Sequence, residues 1–105
     1  MKLNDLIKIE EFKVPGSDLV VNFREEIAWY DFVKSLKIDD EDDRGIFIMC
    51  QLIDSWNLTD EKSNKLPVSE DILKRMPGNI GAILTAKANK IIDTQMEKKK
   101  NLLKI

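Results

Sequence analysis

At 105 residues the chain has the length of one domain with one core, and 43% hydrophobic and 34% charged residues describe an ordinary water-facing globular protein. The net charge of −2 is unevenly spread: residues 1–45 hold 12 acidic against 7 basic side chains, and residues 46–105 reverse the sign. Such an imbalance suits either head-to-tail self-association or internal ion pairing. A single cysteine, Cys50, excludes an intramolecular disulfide framework and points to a reducing compartment. The first residues lack the uninterrupted apolar stretch of a secretory signal, and no run approaches the length of a membrane span. The expectation is a cytosolic protein with no membrane contact.

In chain order, the first signal is a pair of alternating segments. Phe12 and Val14 flank Lys13, and Leu19, Val21 and Phe23 alternate with polar residues, as half-buried strands do. Between them, Pro15-Gly16 suits a type II turn, with proline presetting one φ and glycine accepting a positive one. This predicts a β-hairpin over residues 9 to 24, whose apolar face must pack on helices or join another sheet. Trp29, Phe32, Val33 and Leu36 then fall on one helical stripe. The acidic run Asp39-Asp40-Glu41-Asp42-Asp43 closes that helix and opens the next, with Asp39 or Asp40 as its cap. Met49, Leu52, Ile53 and Trp56 repeat the helical spacing, which carries the second helix to Trp56. A polar loop follows to Pro67, and Ser69 caps a short helix stopped at Met76-Pro77-Gly78. Residues 79 to 100 form a long last helix with Ile80, Ile83, Leu84, Ala88, Ile91 and Ile92 on one side. The predicted architecture is α+β, mostly α: an N-terminal hairpin followed by about four helices, the last one long. Residues 1–97 form the domain, and residues 98–105 a basic, frayed tail.

Chemistry is scarce. The chain has no histidine, which removes the commonest general base near neutral pH and the commonest metal ligand. Cys50 lies on the second helix's apolar stripe and reads as a small buried hydrophobe. The acidic run fails as a calcium loop: counted from Asp40, Arg44 and Gln51 fall at ligand positions, and counted from Asp39, Arg44 takes the place of the glycine. No phosphate-binding glycine motif is present beyond the weak Gly78-Asn79-Ile80-Gly81. No catalytic, cofactor-binding or metal residue is assigned, and an enzyme is not expected. The last helix is basic, yet it lacks the arginines and stacking aromatics of a nucleic-acid surface.

The aromatic content points to a binder. Tyr30 lies about 100° around its helix from Trp29, and Phe47 with Ile48 widens the second helix beyond one stripe. Such surfaces are either internal core or a partner face. Tyr30, Phe47 and Ile48, with Asp42 and Asp43 at the acidic junction, are therefore the candidate partner-binding residues.

The segment Trp56-Asn57-Leu58-Thr59-Asp60-Glu61-Lys62-Ser63-Asn64-Lys65-Leu66-Pro67, followed by Ile72, Leu73, Met76 and Pro77, carries a resemblance. It resembles small tailed-bacteriophage and prophage proteins of the tail assembly chaperone type, where a W-N-L-T-D-x-x-G-x-x-L-P loop joins two helices. Ser63-Asn64 stands at the usual loop glycine, and asparagine can take the positive φ there. The resemblance implies a non-enzymatic, cofactor-free assembly factor that binds the helical tape-measure protein or other tail components. It also implies a second, longer product made by ribosomal frameshifting, for which Lys98-Lys99-Lys100 is a candidate slippage region. Two other readings stand beside it: a structural phage subunit such as a head–tail connector or tail terminator, self-associating as a homo-oligomer, and a nucleic-acid binder using the basic last helix.

Overall fold

The computed structural model describes the backbone of residues 1–103 and the side chains of residues 1–100. Within them the elements run α1 (Leu3–Leu6), β1 (Ile9–Lys13), β2 (Val20–Arg24), α2 (Trp29–Ser35), α3 (Glu41–Leu52), β3 (Ile53–Trp56), α4 (Glu70–Lys74) and α5 (Gly78–Leu103). The protein is α+β and mostly helical, with its sheet near the N-terminus and a long last helix.

The hairpin forms as the alternation predicts. β1 and β2 pair antiparallel with Phe12 opposite Val21. Val14, Val21 and Phe23 are fully buried, and Phe12 meets Phe23 edge to face with ring centroids 5.9 Å apart. Gly16 carries the turn at φ +77°, and the Ser17 N–H closes it on the Val14 carbonyl at 3.3 Å. One turn of helix, α1, precedes the hairpin.

The hairpin is extended by a strand that helical spacing concealed. α3 ends at Leu52, and Ile53 turns extended (φ −81°, ψ 114°) to begin β3, which pairs antiparallel with β2. Met49, Leu52, Ile53 and Trp56 are all buried, the first two from a helix and the last two from a strand. Arg24 explains the exit. Its guanidinium donates to the Gln51 carbonyl at 2.8 Å and sits 3.5 Å from the Asp54 carboxylate, satisfying an orphan carbonyl at the helix end. Asp54 and Ser55 are poor helix formers that favour the break.

The junction between α2 and α3 is capped from both sides. The Asp40 Oδ1 accepts the Asp43 N–H at 2.9 Å, as the acidic run predicts. Arg44 reaches back with two donors, 3.0 and 2.7 Å, to the Ile38 carbonyl. Ser69 caps α4 by accepting the Ile72 N–H. α5 lays Leu84, Ala88 and Ile91 into the core and runs through Lys98–Lys100 to Leu103. Residues 104 and 105 of the expected basic tail lie outside the described residues. Two contacts fasten α5 to the sheet side. Lys87 pairs with Glu10 at 2.9 Å, and the Gln95 amide both accepts the Ile27 N–H and donates to the Ile27 carbonyl.

Candidate functional site

The loop that carries the resemblance is a closed, internally bonded hairpin. Trp56 is buried, and its indole N–H donates to the Leu66 carbonyl at 2.8 Å, so the ring staples the start of the loop to its end. Leu58 and Leu66 are joined by a backbone hydrogen bond, Leu58 packs on the core, and Thr59 bridges Lys65. At the tip, the Asp60 carboxylate accepts the Asn64 N–H (2.9 Å), the Lys62 N–H (2.8 Å) and the Asn64 side-chain amide (3.3 Å). These donors, the Asn64 backbone N–H foremost, hold the Asp60 carboxyl below its ordinary range. Ser63, not Asn64, takes the positive φ of +65°. Asn64 is committed to Asp60, so the left-handed position falls to its neighbour.

Asn57 is the loop's other fixed point. Its Oδ1 accepts the Val20 N–H at 2.8 Å and its Nδ2 donates to the Asp18 carbonyl at 2.9 Å. The amide side chain thus prolongs the β2–β3 ladder by one peptide-like rung. Every polar group singled out in this loop has a structural partner.

The five candidate partner-binding residues do not converge on one surface. Asp42 and Ile48 line a groove of about 490 Å³ between α3 and α5, floored by Gly45, Met49 and Ala88. Asp43 is exposed in the first turn of α3, where its N–H meets the Asp40 cap. Phe47 is half-buried on α3. Tyr30 lies elsewhere, on α2, exposed beside Trp29, with the Lys34 ammonium 4.7 Å from its ring centre.

The stripe expected to be core on α2 is core only in its middle. Phe32 and Val33 are half-buried, whereas Trp29 is 77% exposed and Leu36 63%. α2 is seven residues long and packs on α3, so a stripe reaching from its first residue to its C-cap overhangs at both ends. Trp29 faces another groove of about 490 Å³, shared with Leu6, Ile7, Ile27 and Ala28 and rimmed by charged residues including Arg24, Glu26 and Lys98. Leu3, Leu6, Ile7, Trp29 and Tyr30 are all exposed. Sequence reasoning picked out Tyr30 on this surface and missed the rest, whose one signal was the Leu3, Leu6, Ile7 spacing, which fits one helical turn.

Cys50 is half-buried on α3 and packs on the core; burial pushes its thiol pKa up, and the Glu70 charge adds to the shift. A thiol held protonated is a weak nucleophile. Among the described residues, no helix is long and apolar enough to cross a membrane. The basic side of α5 is partly occupied: Lys87 is bound to Glu10, and Lys90 and Lys98 share a groove with Glu10 and Glu25. Comparison with known proteins matches no family model, no curated protein and no solved structure.

Proposed function

We propose that the chain is a non-enzymatic phage or prophage assembly protein of the tail assembly chaperone type, which shields an amphipathic helix of a tape-measure-like partner. The observation that carries this reading is the exposed apolar surface of Leu6, Ile7, Trp29 and Tyr30, bordered by charges of both signs. Large aromatics left in water beside aliphatic residues are the usual anchors of a protein interface. A groove of this kind takes the apolar stripe of a helix, while the rim charges set its orientation. The ion pair of Lys87 with Glu10, and the Glu25 carboxylate in the groove that Lys90 and Lys98 line, favour a protein partner over a nucleic acid.

The test is titration of the purified chain with a helical fragment of a tape-measure protein from the same genome, followed by tryptophan fluorescence. Trp29 is exposed and Trp56 buried, so binding shifts the emission of Trp29 to the blue. Trp29→Ser with Tyr30→Ser should weaken binding at least tenfold while leaving the fold intact, since both side chains are exposed. Absence of binding to every neighbouring tail protein would sink the proposal.

A further inference from the structure

The outer edge of β1 is an unpaired row of backbone groups. In the β1–β2 ladder the Glu25 N–H donates to the Lys8 carbonyl and the Val14 N–H to the Leu19 carbonyl, each at 2.9 Å. Hydrogen-bonded pairs recur at every second residue of an antiparallel ladder, so residues 8, 10, 12 and 14 bond to β2. Ile9, Glu11 and Lys13 therefore direct their N–H and C=O groups away from β2. Among the described residues, no strand pairs with that side of β1.

We infer that this edge pairs with the same edge of a second copy, joining two three-stranded sheets into one across a two-fold axis at Phe12. Charge selects the register. Only the outward residues can exchange hydrogen bonds, so the copies align with odd residue opposite odd residue. Placing Glu11 opposite its own copy, or Lys13 opposite its own copy, sets like charges face to face. Shifting between those two alignments sets Glu11 opposite Lys13 of the other copy, twice by symmetry, with Phe12 against Phe12 on the axis. Directly opposed residues share a face, so both ion pairs form on the solvent side and the aromatic pair on the α5 side, where Phe12 is only half-buried. Pro15 has no N–H to donate and ends the ladder one residue beyond Val14. The contact uses the same edge in both copies and closes at two.

The test is sedimentation equilibrium of the full chain from micromolar to millimolar concentration, with amide exchange measured in parallel. Wild type should pass from 12.1 kDa to twice that mass, and the Glu11 and Lys13 amides should gain protection as it does. Glu11→Lys sets lysine opposite lysine at both pairs, and Lys13→Glu sets glutamate opposite glutamate. Each alone should weaken the dimer roughly tenfold or more. An equimolar mixture of the two single variants restores both attractive pairs and should dimerise, as should the double exchange. Glu11 and Lys13 are exposed, so each variant should keep the wild-type circular dichroism. A wild type that stays at 12.1 kDa at millimolar concentration overturns the inference. So does a dimer indifferent to both single variants, or a mixture that fails to rescue them.

Discussion

Trp56→Phe isolates the staple that closes the tryptophan loop. The substitution keeps an aromatic body in a site only 8% exposed and deletes the indole N–H that reaches the Leu66 carbonyl at 2.8 Å. Losing that hydrogen bond costs about 1 kcal/mol, toward the low end because Leu66 is half-buried and water can reach its carbonyl. The smaller ring gives up contacts and leaves a partial void, worth roughly 1 kcal/mol more. Together these amount to about 2 kcal/mol, a large share of the ~5–15 kcal/mol available to a small domain. In urea the midpoint should fall at unchanged slope, and the melting temperature should drop by roughly 10 °C. The loss should be local in amide exchange, with the Leu66 N–H and the Thr59–Lys65 bridge opening faster than the β1–β2 ladder. A loss below ~0.5 kcal/mol with loop exchange unchanged would show that Leu58 and Asn57 hold the loop without the indole.

Gln95→Ala should cost about 2–3 kcal/mol in urea unfolding, because Ile27 is 2% exposed and would lose partners for both its N–H and its carbonyl. A cost near zero would mean that water replaces the amide. Asp60 gives a pH signature with a definite sign. The folded loop binds the charged carboxylate, so its contribution is complete at neutral pH, begins to fall once pH enters the ordinary carboxylate range, and is gone once pH has fallen through the lowered pKa. The Lys62 and Asn64 amide resonances should report that late acid midpoint, and Asp60→Asn should remove it; an ordinary aspartate midpoint would refute the arrangement.

Much of the fold was legible because its signals are local. The Pro15-Gly16 turn, the Asp40 and Ser69 caps and the stop at Met76-Pro77-Gly78 each depend on residues within a few positions of one another. β3 was not legible for a physical reason. Met49, Leu52, Ile53 and Trp56 satisfy helical spacing, and the switch at Ile53 is imposed by Arg24, nearly thirty residues earlier in the chain, capping Gln51. Burial was inferred correctly there and geometry was not. Periodicity reports which residues seek the core, and a distant guanidinium decides the backbone that takes them in.

The same distinction explains why most of the proposed interaction surface was hidden. Spacing cannot tell an apolar residue that meets the core from one that overhangs it, and Trp29, Phe32, Val33 and Leu36 lie on one stripe with different fates. What separates them is the length of α2 against the footprint of α3, a property of the assembled packing. The edge of β1 is hidden in another way, since its unpaired groups are backbone amides and carbonyls whose direction follows from the parity of the ladder. Two of the candidate residues, Asp42 and Asp43, sit at a helix start that their neighbour Asp40 already caps. Where the polar residues of the tryptophan loop and the helix caps are occupied by the fold, the surfaces proposed for partners are the overhanging aromatics and the unpaired strand.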